Sequence, residues 1–109
     1  MTTDMNNVFK ALADPHRREL LDLLYKENGQ TLGDLCKCMS MSRQGVAKHL
    51  ALLEVAQLVV VVWQGREKLH YLNPVPIQQI HDRWIGKFEG ERLQALDTLR
   101  KALDDQNDA

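Results

Sequence analysis

Two stretches with helical spacing, Leu32–Met39 and Arg43–Val55, are separated only by Ser40, Met41 and Ser42. Nothing else in the chain restricts its fold as tightly. In the second stretch Val46, Leu50 and Leu53 recur on one helical face. Thr31-Leu32-Gly33-Asp34 has the spacing of a capping box, with Asp in place of the usual Glu. Ser42 is placed to cap the second helix, because its hydroxyl can accept from a backbone N–H left open in the first turn. Two helices joined by about four residues form a helix-turn-helix, here over about 31–55.

The flanks extend this motif. Val8, Phe9 and Leu12 lie at helical spacing, with Met5 one turn earlier, and predict a short amphipathic helix over Asn6–Leu12. Asp14-Pro15 reads as an N-cap followed by proline at the first helical position. Leu20, Leu21, Leu23 and Leu24 then line a second helix that stops at Asn28-Gly29. After the motif, the β-type runs Leu58–Trp63 and Lys68–Leu72 surround Gln64-Gly65-Arg66-Glu67 and predict a hairpin over 58–72. Asn73-Pro74 opens a last helix over about 74–105, with an apolar stripe of Ile77, Ile80, Trp84, Phe88, Leu96, Leu99 and Leu103. From Val75 to Asp104 such a helix would be about 45 Å long, more than a domain this small can cover. A second copy of the chain is the natural cover, helped by the Phe9 helix. The expected interface between copies is therefore Phe9, Ile77, Ile80, Trp84, Phe88, Leu96 and Leu99. The expected architecture is mainly α with a β-hairpin wing, in the order α-α-α-α-β-β-α. It is a winged helix-turn-helix dimerising through its terminal helices, with 1–109 as one domain.

At 109 residues with 44% apolar residues, the chain can bury a core, but a small one. Its longest apolar run, Leu58–Trp63, is strand length, so no membrane span is expected. The polar N-terminus lacks the apolar run of a secretory signal, and the two cysteines stand too close to close a useful loop. A cytoplasmic protein with reduced thiols is expected. The net charge of −1 excludes a general polycation. Residues 41–72, however, carry Arg43, Lys48, Arg66 and Lys68 against Glu54 and Glu67. This local excess permits a nucleic-acid face.

A helix fits the major groove, and its N-terminal residues reach base edges. Here those residues are Ser42, Arg43 and Gln44, with Lys48 one turn beyond Gln44. Arg can pair bidentately with guanine and Gln with adenine, each worth about 1–3 kcal/mol of discrimination. Ser42 and the helix N-terminus suit a phosphate oxygen. Gly45 and Ala47 are small, which would allow close approach. Exposed charged residues ordinarily do no more than face water; the position just after the turn favours the DNA reading. At the hairpin tip, Arg66 suits a narrow minor groove and Lys68 a phosphate, with a merely solvated turn as the alternative. Glu67 would repel phosphate and is expected to point away or pair with a base.

These residues resemble a known family. Phe9-Lys10-Ala11-Leu12-Ala13-Asp14-Pro15 with Arg17-Arg18 looks like the opening of ArsR/SmtB winged-helix repressors. Ser42-Arg43-Gln44-Gly45-Val46-Ala47-Lys48-His49-Leu50 is similar to the family's recognition helix, and Gly65-Arg66-Glu67-Lys68-Leu69-His70-Tyr71 to its wing. The similarity runs from about Val8 to Leu103. It implies a cytoplasmic homodimer that represses transcription from a palindromic double-stranded DNA operator. Many members release DNA when a metal ion or another inducer binds. At the place of His49 the family commonly has His, which tends to pack under the recognition helix. Gln57 stands where the family usually has Gly, at a helix end that favours left-handed geometry.

Metal-sensing members carry Cys-x-Cys just before an Asp-Leu pair. That pair is Asp34-Leu35 here, so the ligand positions fall on Thr31 and Gly33, which cannot bind a soft metal. Cys36 and Cys38 follow the pair. Residues i and i+2 of a helix point about 200° apart, so they chelate poorly. A second family sensor site, on the last helix, meets Asn73-Pro74-Val75-Pro76 here, with proline where ligands would be. No metal site and no cofactor is expected. Packing is the simpler use of both cysteines; the sharper one is redox sensing, with Lys37 favouring a thiolate and oxidation spoiling DNA binding.

His16, His49, His70 and His81 fall in no nucleophile or metal motif, so an enzyme is not expected. Gly86 and Gly90 have GxxxG spacing, which here permits close packing or a bend. Tyr71, Trp84 and Phe88 could line a pocket for an unidentified small-molecule inducer, although core packing is their commoner use. The rival to a sequence-specific regulator is a winged-helix module that binds protein.

Overall fold

The computed structural model describes residues 4–86 and 90–107. Among these residues, six helices and one hairpin follow in the order α1 (Met5–Leu12), α2 (Pro15–Lys26), α3 (Leu32–Cys38), α4 (Arg43–Val55), β1 (Val59–Gln64), β2 (Glu67–Leu72), α5 (Val75–Trp84) and α6 (Gly90–Asn107). The chain divides into two compact units, 1–77 and 78–109, with the division inside α5.

Local chemistry sets most helix ends in the first unit. The Asp4 carboxylate accepts from the Asn6 amide at 3.0 Å and starts α1. Asp14 accepts from the amides of His16 and Arg17 at 2.8 and 3.2 Å, with Pro15 as the first helical residue of α2. Gln30 Nε2 donates to the carbonyls of Leu23 and Glu27, so the end of α2 is closed by a side chain. The capping box of α3 is reciprocal: Thr31 Oγ1 accepts from the Asp34 amide, and Asp34 Oδ2 accepts from the Thr31 amide, both at 3.1 Å. Ser42 Oγ accepts from the Gly45 amide at 3.0 Å and starts α4.

The end of α4 is a Schellman motif on a non-glycine residue. Gln57 has φ 62, its amide donates to Glu54, and the Leu58 amide donates to Leu53. Asn73 braces this join. Its Nδ2 donates to the Gln57 carbonyl at 2.7 Å, and its amide donates to Leu58 at 2.8 Å.

The hairpin is antiparallel, with Val59 opposite Leu72 and Gln64 opposite Glu67. Only Gly65 and Arg66 form its loop, and Gly65 at φ 62 supplies the positive φ that a two-residue turn needs at its first position. Gln30 adds an isolated bridge to His70. The Gly29 amide donates to the His70 carbonyl, the His70 amide donates to Gln30, and His70 Nδ1 lies 2.9 Å from the Gln30 carbonyl. His70 is 2% exposed yet hydrogen-bonded, which removes the cost of burying it.

Val8, Ala11, Leu20, Leu21, Leu24, Leu35, Met39, Val46, Leu50, Leu53, Leu58, Val59 and Leu69 form the core of this unit. Burying a Leu or Val side chain contributes about 1.5–3 kcal/mol, so this cluster is what fixes α4 and the hairpin. Leu23, expected on the buried side, is only half-buried.

The expected continuous helix over about 74–105 is two helices. Helix α5 stops at Trp84, where the amides of Ile85 and Gly86 both donate to the His81 carbonyl at 2.7 Å. A Cβ on Gly86 would lie 3.2 Å from Asp82 Cα, so a side chain there would crowd this ending. In α6 the leucines 93, 96, 99 and 103 are exposed. Phe88 lies outside the described residues.

Candidate nucleic-acid interface

The start of α4 presents the polar residues read from its sequence. Ser42, Arg43, Gln44 and Lys48 are all exposed, while Val46, Leu50 and Leu53 on the opposite face are buried. The exposed four do not form one row. Arg43 faces a cleft between α4, the start of α3 and the hairpin, which Ala47, Ala51, Glu54, Trp63, Arg66, Glu67, Lys68 and His70 also line, so Glu67 sits among the cleft's basic residues. Its volume is about 490 Å³ and it opens to solvent. Gln44 and Lys48 are absent from that lining and sit one turn apart along the helix.

Gly45 is packed against the turn. A Cβ there would lie 3.2 Å from both Met41 Cε and Ser42 Oγ. The residue is small because the turn packs over it, and it is half-buried. Ala47 is half-buried in the cleft wall.

On the wing, Arg66 is exposed at the tip and Lys68 sits directly opposite Trp63 on the neighbouring strand. Lys68 Nζ lies 3.6 Å from Glu54 Oε2, in the last turn of α4. Both side chains are part-exposed, so the pair contributes about 0–1 kcal/mol. Its larger effect is to offset the Lys68 charge and link the wing to α4. Glu54 and Trp63 were not singled out by motif. The signal for Trp63 was available: a hairpin closing around Gly65-Arg66 places residue 63 beside residue 68 on one face.

The α4 helix is also held from behind. Arg17 donates through Nε to the Ala11 carbonyl and through Nη2 to the Lys10 carbonyl, both at 2.9 Å. Its Nη1 lies 3.2 Å from His49 Nδ1. A guanidinium only donates, so the hydrogen bond requires Nδ1 as the acceptor. The His16 ring stands 5.7 Å from that of His49. His49 thus ties the recognition helix to the start of α2. Asp14, at the same start, is subject to partial desolvation that disfavours its charge. The amides of Arg17 and His16 and the Arg17 guanidinium outweigh this and lower its pKa.

Cys36 is half-buried and Cys38 exposed, in the last turn of α3. Thr31, at one of the family's ligand positions, uses its hydroxyl in the capping box. Phe9, Ile77, Trp84, Leu96 and Leu99 each expose 40% or more of their surface, and Ile80 is half-buried.

Residues 12–62 match the model of a helix-turn-helix domain family. The chain is 38% identical over 84 residues to the transcriptional repressor SdpR of Bacillus subtilis, covering 77% of this chain and 91% of that one. It is 31% identical over 93 residues to the arsenical resistance operon repressor of Escherichia coli, covering 82% and 78%. Among solved structures, an ArsR-like transcriptional regulator from Rhodococcus sp. RHA1 superimposes with a TM-score of 0.68 at 30% identity, over 94% of this chain and 90% of that one. With its helix-turn-helix, hairpin wing and capped recognition helix, the chain belongs to the ArsR family of winged helix-turn-helix transcriptional repressors.

Proposed function

We propose that the protein is a cytoplasmic, homodimeric repressor that binds a palindromic operator with α4 in the major groove. The observation that carries this reading is the start of α4: Arg43, Gln44 and Lys48 are exposed above a helix whose opposite face is fully buried, with the Arg66 wing tip beside the same cleft as Arg43. Arg43 and Gln44 read base edges, Ser42 and Lys48 hold phosphates, and Arg66 enters the flanking minor groove. Lys68 contributes less to phosphate binding than its charge implies, because Glu54 offsets it.

Two copies of the chain would place two α4 helices on successive half-sites about 34–36 Å apart. The exposed apolar side chains of Phe9 and Ile77 in one unit and of Trp84, Leu96 and Leu99 in the other support self-association. A chain of net charge −1 has little general attraction for DNA, so local charge and base contacts must supply the affinity.

The test is binding of the reduced protein to duplex DNA from upstream of its own coding sequence, against a scrambled duplex of equal length. A preference of about a hundredfold or more, weakening steeply with salt, is the expected result. Equal and weak binding to both would transfer the reading to a winged-helix module for a protein partner.

A further inference from the structure

Trp63 occupies a position that the packing of the fold does not explain. It stands near the tip of β1 and is 65% exposed. The hairpin is already anchored by Val59, Leu69 and His70, all buried further down the strands. Trp63 also lines the cleft between α4 and the wing, together with Arg43, Arg66 and Lys68 and the carboxylates of Glu54 and Glu67. Its cross-strand partner is Lys68, which Glu54 links to α4.

An indole set among three cations and two carboxylates, in an open cleft of net positive charge beside the recognition helix, matches the surface of one DNA strand. Along that strand, anionic phosphates alternate with apolar deoxyribose rings. An indole suits this alternation because it combines a large apolar body with one N–H donor. We propose that Trp63 is a DNA-contact residue that lies against deoxyribose of the strand passing between α4 and the wing, with its Nε1–H directed to an adjacent phosphate oxygen. The proposal rests on the DNA-binding reading above and adds to it a non-ionic contact. Contacts to sugar and phosphate position a protein on the duplex without reading its sequence. Trp63 therefore supports all duplexes alike, whereas Arg43 and Gln44 choose among them.

The chain has two tryptophans, so protein labelled with 5-fluorotryptophan gives two fluorine resonances, and Trp63→Phe identifies that of Trp63. A duplex of the preferred sequence is added while anisotropy of a dye on the same duplex reports binding. The expected result is that the Trp63 resonance shifts and loses part of its H2O/D2O solvent shift over the concentrations at which anisotropy rises. In parallel, Trp63→Ala weakens binding to preferred and scrambled duplexes by the same factor, roughly tenfold, as for truncation of a Trp anchor. It leaves the slope of affinity against salt unchanged, whereas Arg66→Ala lowers that slope by about one contact.

Duplex binding with the Trp63 resonance unmoved would overturn the proposal and leave the DNA reading intact. A Trp63→Ala loss confined to the preferred duplex would overturn the deoxyribose assignment, because it would show base readout. No duplex binding by the wild-type protein at any salt concentration would overturn the DNA-binding reading itself, and this proposal with it. The resonance is read on the wild-type fold, so instability of the alanine variant does not remove the test.

Discussion

Gln57 joins the recognition helix to the wing in a conformation that glycine adopts more easily. A left-handed backbone costs a residue with a Cβ about 1–2 kcal/mol, and glycine returns part of that in chain entropy. At this join the Gln57 amide donates to the Glu54 carbonyl, and its own carbonyl accepts from Asn73. Glycine keeps both backbone bonds and relieves the positive φ, so Gln57→Gly is expected to stabilise the fold by about 0.5–1 kcal/mol, a rise in Tm of about 3–6 °C. Thermal unfolding by circular dichroism checks it, and a fall in Tm would mean that the glutamine side chain holds the join. Glu54 offers a second test at this scale. It stands 3.6 Å from Lys68 on the cleft wall that Arg43 and Arg66 share. Removing its charge while keeping its shape leaves Lys68 available to phosphate. Glu54→Gln should strengthen duplex binding about threefold and steepen the salt slope by up to one phosphate contact, read by anisotropy over a salt series. An unchanged slope would show that Lys68 points away from the DNA backbone.

At the scale of elements, what the sequence announces locally is what the structure contains. The reciprocal box of Thr31 and Asp34, the Asp14-Pro15 start of α2 and the Ser42 cap of α4 each depend on side chains reaching amides two or three residues away, so spacing alone identifies them. Thr31→Ala should cost about 1 kcal/mol in urea unfolding. Acid should weaken the same caps. The Thr31 amide, with the Thr31 hydroxyl, lowers the Asp34 pKa, and the Arg17 and His16 amides do so for Asp14 against partial desolvation. Each folded pKa lies below the unfolded value near 3.8. Their stabilisation is complete above that value and is lost as pH falls through the folded one. Urea midpoints should therefore drop as pH falls from 5 towards 2, and Asp14→Asn, which keeps a capping acceptor, should flatten part of that drop. Other features could not be read so easily. The terminal helix looked continuous because Ile77, Ile80 and Trp84 share a period with Leu96, Leu99 and Leu103 across the break; the visible sign of an ending was Gly86, whose contact with Asp82 appears only in three dimensions. The cleft of Arg43, Trp63 and Arg66 was equally hidden, because it joins elements distant in sequence. The packing at Gly45 is hidden in the same way: a Cβ there would meet Met41, a contact that spacing alone does not show.

For the whole molecule, affinity for an operator depends on how many recognition helices act together. One copy brings a net charge of −1 and a modest local excess of basic residues, which is a weak basis for binding a site alone. Two linked copies make the second half-site contact effectively intramolecular, which raises affinity by about 10²–10⁴ without a new type of contact. The leucines of α6 are available for such a link: Leu96 and Leu99 are each 56% exposed, and Leu103, at heptad spacing after them, is 52% exposed. Charges placed there should prevent apolar pairing while leaving the unit formed by residues 1–77 with its own core. The double variant Leu96→Glu and Leu99→Glu is expected to sediment as a monomer at concentrations where the wild type sediments as a dimer. Its affinity for the full palindrome should fall about a hundredfold or more, and its affinity for a single half-site should stay within about twofold of wild type. The half-site comparison separates the alternatives. Equal losses on both duplexes would mean that the charges damaged the DNA-binding unit itself. A variant that stays dimeric and keeps full affinity would move the interface to Phe9, Ile77 and Trp84, which are also exposed.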